Sequence, residues 1–207
     1  MRRNTYLAAV SLLAALPAAI AWRGAGDPIA LAPQSRLWID GTSTVRKFTC
    51  KASAFTVDVD AAPGAIGAVL AGEKAVRAVA VKVPTEQLDC GNGTMNEHML
   101  KALKAKDAPL IAFTLASYDV AKGTAGVEGT LHGTLALGGS TQPVAIAAQA
   151  TAAGGGQLRV TGAYELHLKT FGLKPPSLMM GTMKVGETVT VNFDLLLKST
   201  TVAALAR

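Results

Sequence analysis

Leu158-Arg-Val-Thr-Gly-Ala-Tyr-Glu-Leu-His-Leu168 and Thr188-Val-Thr-Val-Asn-Phe-Asp-Leu-Leu-Leu-Lys198 are the two runs whose reading decides the fold. In the first, Leu158, Val160, Gly162, Tyr164, Leu166 and Leu168 share one side, with Arg159, Thr161, Glu165 and His167 on the other. In the second, Val189, Val191, Phe193, Leu195 and Leu197 face one way and Thr188, Thr190, Asn192, Asp194 and Lys198 the opposite way. A period of two held over about ten residues predicts strands with one dry and one wet face. Between them lies Thr170-Phe-Gly-Leu-Lys-Pro-Pro-Ser-Leu-Met-Met-Gly-Thr-Met183. It has too much proline for a strand and too many apolar side chains for an ordinary surface loop, so it is expected to cover something apolar.

The same alternation recurs upstream. Leu37-Trp-Ile39 followed by Asp40-Gly41 reads as a short strand and turn. Phe48 to Val59 reads as one longer strand whose parity slips midway: Phe48, Cys50, Ala52 and Ala54 share a face, then Phe55, Val57 and Val59 take over. A one-residue slip predicts a β-bulge, which bends a sheet. Val76 to Val83 places Val79, Val81 and Val83 together before Pro84 stops it. Leu110–Tyr118 turns Ile111, Phe113 and Leu115 inward, and Val127–Leu137 does so with Val127, Gly129, Leu131, Gly133, Leu135 and Leu137. Gly138-Gly-Ser140 leads into Val144–Ala150, and Gly154-Gly-Gly156 into Leu158.

One helix stands out. Thr94-x-x-Glu97 has the form of a capping box, and Met95, Met99, Ala102 and Leu103 then share a face, with Glu97 and Lys101 paired outside. The fold class is therefore all-β with one short helix. Eight strands with short connections favour an antiparallel barrel, because closure removes unprotected edges; a sandwich is the alternative.

Arg2 and Arg3, the apolar run Tyr6 to Leu16 and the Ala19-Ile20-Ala21 site have the form of a secretory signal peptide cleaved before Trp22. The expected organisation is a signal peptide over 1–21, a mobile leader over 22–34, the barrel over 35–200 and a tail over 201–207. The run is too short to span a membrane, and no later segment reaches the length required. The residue directly after the cleavage site is Trp22 rather than a cysteine, so no lipid anchor is expected. The expected location is periplasmic or secreted. Without Arg2 and Arg3 the 20 basic residues become 18, against 14 acidic, and they are scattered rather than clustered. That distribution argues against nucleic acid as a partner. Cys50 and Cys90 are the two cysteines, an even number that in an oxidising compartment reads first as a disulfide. A reactive thiol pair is the rival, without C-x-x-C spacing to support it.

The inward positions are the candidate binding residues. They comprise Phe48, Phe55 and Val57; Phe113 and Leu115; Leu131 and Leu135; Val160, Tyr164 and Leu166; and Val191 and Phe193. Repeated glycine on the dry face marks either tight barrel corners or room for a long ligand, and the two are compatible. Met99 and Leu103 on the helix, with Phe171, Met179, Met180 and Met183 in the oily segment, suit a deformable apolar lid over one barrel end, or ordinary gap filling. Lys169 and Lys174, with Lys184, Lys101 and Lys104, either meet an anionic head group at that mouth or solvate a greasy loop. His98, His132 and His167 lack ligand spacing, so no metal is expected. No nucleophile elbow or phosphate loop is present, which leaves catalysis without a nucleophile and base to name.

Leu37-Trp-Ile-Asp-Gly-Thr-Ser-Thr44, Ile111-Ala-Phe-Thr-Leu115, Gly129-Thr-Leu-His-Gly-Thr-Leu135 with Thr141-Gln-Pro-Val144, Thr170-Phe-Gly172 and Val185-Gly-Glu-Thr-Val189 follow one another in an order that resembles the YceI-like family of exported proteins. The resemblance runs from about Arg36 to Ser199. It implies a lipocalin-like antiparallel barrel that binds a long polyisoprenoid, such as a polyprenyl phosphate or quinone, in an internal tunnel, with no covalent cofactor. The chain departs from the family at Thr42-Ser43, at Met95-Asn96-Glu97-His98 and at Lys169-Thr170, and the family does not generally carry the two cysteines. The expected function is a non-catalytic carrier of an apolar lipid. Its rivals are a self-filled barrel that binds a partner protein, and an electron-transfer accessory to a bound quinone. A homodimer is compatible with all three.

Overall fold

A computed structural model describes residues 28–178 and 183–200. Thirteen strands form, and their pairings are antiparallel throughout. The N-terminal half supplies β1 (Ile29–Leu31), β2 (Arg36–Thr42), β3 (Lys47–Ala52), β4 (Thr56–Ala61), β5 (Val76–Pro84) and β6 (Leu88–Asp89). Four long strands follow: β7 (Leu110–Gly123), β8 (Gly126–Leu137), β9 (Ser140–Ala153) and β10 (Gln157–His167). A separate two-stranded ribbon, β11 (Ser177–Leu178) with β12 (Met183–Lys184), precedes β13 (Thr188–Ser199).

The hydrogen-bonded order is β4-β5-β7-β8-β9-β10-β13-β2-β3-β6. Its two ends belong to the same two stretches of chain. β3 runs on into β4, and β5 runs on into β6; β4 pairs with β5, and β3 pairs with β6. The sheet thus returns on itself and closes. Counted by continuous stretches, the eleven strands of this sheet make the eight staves the alternation predicts, and the sandwich alternative fails because the only other sheet among the described residues is the two-stranded ribbon.

Several local expectations are corrected. Asp40-Gly41 is not a turn but the continuation of β2, where Gly41 pairs with Phe48. The turn lies beyond it, where the Ser43 hydroxyl accepts from the backbone N–H groups of Val45 and Arg46. The stave from Phe48 to Val59 is not one bulged strand. It breaks at residues 53–55: the Ser53 N–H donates to the Gln87 carbonyl in register with the β3–β6 pairs, and pairing resumes at Thr56 with Lys82, two residues out of that register. A true register shift falls in β7 between Leu115 and Ser117, and it lets Tyr118 and Val120 join Phe113 and Leu115 inside.

The mobile leader predicted over 22–34 is in part a strand. Ile29–Leu31 pairs with Leu197–Ser199 of β13 and extends the line of β2. Helix α2 spans Gly93–Ala102, yet its cap is Asn92 rather than Thr94. The Asn92 side chain accepts the Met95 N–H, and asparagine is among the strongest N-caps. A second helix, α1 (Ala65–Leu70), buries Ala65 and Val69 and was not predicted, since six residues are too few to show a helical period.

Cys50 and Cys90 form a disulfide, with Cys50 buried. It ties β3 to the residues that enter α2. Reduction removes a constraint on a loop of 40 residues, which the chain-entropy model values at roughly 4 kcal/mol. Thiol labelling of the denatured, unreduced protein is expected to find no free cysteine, and Cys50→Ser with Cys90→Ser to lower unfolding free energy by about 3–4 kcal/mol.

On the barrel exterior Asp194 is 6% exposed and joins three staves. Arg159 grips it through two hydrogen bonds of 2.7 and 2.6 Å, and Arg36 through one of 2.7 Å. The Arg159 hydrogen bonds, against the cost of burial and with help from Arg36, hold its carboxyl at about 2 instead of 3.8. A depressed carboxyl pKa stabilises the fold above the unfolded value, and the stabilisation is lost as pH falls toward the folded one. Chemical denaturation is expected to show about 2 kcal/mol lost between roughly pH 5 and pH 2, and Asp194→Asn to cost about 3 kcal/mol at neutral pH with that acid sensitivity removed.

Candidate functional site

Closure of an antiparallel barrel sends every second side chain inward, so the inner surface inherits the dry face of all eight staves. Two clusters fill its ends. At one end Leu137, Val144, Leu166, Leu168, Phe171 and Leu173 pack together, with Leu103 at the close of α2 against them. At the other, Val69 of α1 packs with Val127, Ala150, Leu158 and Leu197, joined by Ile29 and Ile66.

Between the clusters runs an apolar cavity of about 280 Å³. Its wall takes Leu37 and Ile39 from β2, Val57 and Val59 from β4, and Val79, Val81 and Val83 from β5. It continues through Ile111, Phe113 and Leu115, then Leu131 and Leu135, then Ile146. Val160, Tyr164 and Leu166 face Val191, Phe193 and Leu195 to complete the ring. The lining holds no histidine, cysteine, serine or lysine among the described residues, and no buried side-chain nitrogen or oxygen is left without a partner. The Tyr118 hydroxyl, for instance, accepts the Val76 N–H at 3.0 Å. The polar members of the lining are Tyr118, Tyr164, Asp119, Glu128 and Gln149, and the Asp119 carboxylate is held by His132.

The inward glycines do not make room. A Cβ on Gly133 would meet the ring of Phe113 and the Thr114 carbonyl; one on Gly162 would meet the ring of Phe193 and the Ala147 carbonyl. Gly129 lies against the Asp119 carbonyl in the same way. Each marks a place where neighbouring strands coil tightly, and at two of them a phenylalanine covers the bare backbone. The corner reading therefore holds at these positions and the ligand-space reading does not.

Of the candidate residues, Val57, Leu103, Phe113, Leu115, Leu131, Leu135, Val160, Tyr164, Leu166, Val191 and Phe193 stand in the cavity wall. Phe48, Phe55, Met99 and Phe171 do not. Phe48 lies over Gly41; Phe55 sits in the break between β3 and β4, half-buried; Met99 touches the disulfide sulfur of Cys90 at 3.5 Å; Phe171 is buried behind the wall in the end cluster. Met179 and Met180 lie outside the described residues, as does the side chain of Met183. The start of the oily segment and the end of α2 nevertheless meet: Leu173 and the Leu103 carbonyl both approach Gly138, and Leu103 packs on the cluster of Leu168 and Phe171. Lys169, Lys174 and Lys184 are exposed at that end and none lines the cavity. Parity missed Ile29, Ala65, Ile66 and Val69, which reach the cavity from the chain leading into β2 and from α1.

The side chains of His132 and His167 are exposed. His132 meets Asp119 at 3.1 Å, and that hydrogen bond, with nearby Lys74, lowers the Asp119 carboxyl pKa. His167 bonds to Thr188 at 2.9 Å. Among the described residues no three of His, Cys, Asp and Glu gather where a metal could be held, and no helix is long and apolar enough to cross a membrane.

Gly133→Ala and Gly162→Ala are each expected to cost about 1–3 kcal/mol, since the methyl must displace backbone or a packed ring. Equilibrium unfolding checks this; an unchanged stability would return these glycines to the role of ligand space.

A family model for the YceI-like domain matches residues 35–197. A search of curated proteins finds no match. Among solved structures, BcnA of Burkholderia cenocepacia superposes with a TM-score of 0.63 at 16% identity, over 78% of this chain and 95% of that one. A polyisoprenoid binding domain of Saccharophagus degradans, implicated in plant cell wall breakdown, gives 0.59 at 12% identity, over 84% and 99%. The YceI protein of Campylobacter jejuni gives 0.56 at 14%, over 71% and 82%. At these identities the likeness is one of fold.

Proposed function

Because this chain belongs to the YceI-like family of domains, we propose that its barrel holds the tail of one long apolar lipid, of polyisoprenoid type, by burial and without chemistry. The observation that carries this reading is the continuous apolar cavity between the two end clusters, walled by aliphatic and aromatic side chains from all eight staves. The solved polyisoprenoid binding domain of the same fold supports the choice of lipid class. A self-filled barrel would have no such space.

Magnitudes favour a long ligand. Burial returns roughly 0.8 kcal/mol per CH₂, whereas association costs about 4–15 kcal/mol in lost freedom. Only after some five to twenty buried carbons does binding become favourable on these figures. A tail of several isoprene units clears that threshold and a short fragment does not. With a wall that is aliphatic and aromatic apart from Asp119, Glu128 and Gln149 toward the α1 end, the cavity selects for length and flexibility more than for a functional group. A quinone and a prenyl phosphate share the same kind of tail.

The protein carrying this barrel is exported in our reading, cleaved after Ala21, and acts in the periplasm or outside the cell; the signal pattern of residues 1–21 supports this. N-terminal sequencing of the protein from its native source is expected to begin at Trp22.

Organic extraction and mass spectrometry of the purified protein are expected to release a long-chain lipid at close to one per barrel. Leu131→Trp, which fills the middle of the cavity, is expected to keep the fold and lose the lipid. Protein that is folded and lipid-free from every source, and that takes up no added prenyl lipid, would overturn the reading.

A further inference from the structure

The described residues contain sixteen lysines and arginines. Five of them, Arg36, Lys74, Arg77, Lys82 and Arg159, are paired with carboxylates on the staves and at the α1 end. Eight of the others stand together at the opposite end and make no ion pair among the described residues. Arg46 and Lys47 lie on the β2–β3 hairpin, whose Thr44 is hydrogen-bonded to Lys184 of β12. Lys101, Lys104 and Lys106 lie on α2 and the turn after it, which is fastened to this end through Leu103. Lys169 and Lys174 flank the buried Phe171 and Leu173. All eight are exposed. The acidic residues of the same end are Asp40, Glu86, Asp89, Glu97, Asp107, Glu165 and Glu187, seven against eight; Asp40 is engaged by Trp38, Thr49 and Asn192, Asp89 by Asn96 and the Gly91 N–H, and Glu165 lies 3.5 Å from His167.

Two further features occur here. Val45, 67% exposed at the hairpin tip, and Leu110, 43% exposed at the start of β7, are the large hydrophobic side chains left in solvent among the described residues. Both belong to this basic end. Lys104, at φ 54°, is the non-glycine residue held in the left-handed region among the described residues. It closes α2 in the place that glycine normally takes. Unpaired cations around protruding apolar side chains are the pattern of a surface that lies against a charged interface, with attraction at long range and shallow insertion at contact.

We propose that this end of the barrel is a docking face for an anionic lipid bilayer. A nucleic acid would use the cations, but the apolar tips have no role against a phosphate backbone. The polar side of the bilayer would meet the lysines, and its acyl boundary would meet Val45 and Leu110. Leu103, between Lys101 and Lys104, reaches the cavity wall, so the docked membrane and the apolar interior come closest at α2. That last consequence, exchange of lipid at α2, rests on the lipid reading above; the docking itself does not.

Sedimentation with phosphatidylcholine vesicles, with and without phosphatidylglycerol, tests it. The protein is expected to bind the anionic vesicles and to release as salt rises, because screening acts within about 10 Å at 0.1 M. A Lys near an anionic surface is worth about fivefold, so Lys101→Glu, Lys104→Glu and Lys169→Glu together are expected to weaken binding at least about a hundredfold. The control is Lys122→Glu with Lys198→Glu, two exposed lysines toward the α1 end that make no ion pair among the described residues, expected to change it little. Val45→Ser is expected to weaken binding several-fold with the salt dependence intact. Lys104→Gly relieves the backbone and is expected to raise the melting temperature while lowering vesicle affinity; a folding defect would lower both. A loss in the Lys122 and Lys198 variant equal to that of the triple variant, or no preference for anionic vesicles, would overturn the proposal. So would absence of vesicle binding with loss of a prenyl phosphate but not a prenyl quinone, which assigns the lysines to a head group. Extraction of bound lipid from the same variants keeps the two readings apart: docking can fail with the cavity still loaded.

Discussion

Closure through β13 is the constraint on which the rest of the structure depends. This strand pairs with β10 along one edge and with β2 and then β1 along the other. The last strand of the chain is thereby joined to the first. An antiparallel sheet of eight staves left open would present two long edges, and joining them removes both. Asp194 reinforces the joint from outside, since its carboxylate is shared by an arginine from the β10 side and one from β2. Losing either arginine would leave a nearly buried charge short of a partner, so the clamp resists slippage of register as well as separation.

Closure also determines what the interior can be. Once the staves are coiled, inward positions are crowded where strands approach closely and open where they diverge. Glycine occupies the crowded points, covered at Gly133 and Gly162 by phenylalanine rings, while branched aliphatic side chains line the open stretch. The register shift in β7 serves the same end, because without it Tyr118 and Val120 would face solvent. The cavity is thus what remains after the barrel has packed its corners. Its apolar character follows from strand parity rather than from any dedicated binding loop.

The two ends of the barrel differ. One is covered by α1 and by charged pairs that satisfy each other. The other is covered by α2, the Leu168–Phe171 turn and the β2–β3 hairpin, where cations are left without carboxylates. A barrel with an apolar interior and one basic, apolar-tipped end has a direction built into it. The disulfide adds to this, because Cys90 fastens the entry to α2 onto β3 and holds that helix over the same end.

The sequence by itself determined which side chains face inward on nearly every stave, since period-two alternation is imposed by the strand backbone and is visible wherever the burial is one-sided. Val160, Leu166, Val191 and Phe193 could be placed from that alone, and so could the count of eight staves, the pairing of the two cysteines and the presence of α2. Parity could not show how far each inward residue lies from the barrel axis. Phe48 and Phe171 have the right chemistry but are spent on packing, one against Gly41 and the other behind the wall. Nor could a local pattern reveal Ile29–Leu31, whose strand exists only because β13 offers it an edge. The α1 residues Ala65, Ile66 and Val69 share that limit, being too few to show a helical period and placed by the cluster they cover. The gathering of unpaired lysines likewise joins positions far apart in the chain, from Arg46 to Lys184. Such features depend on contacts between distant segments, and only the closed tertiary structure brings those segments together.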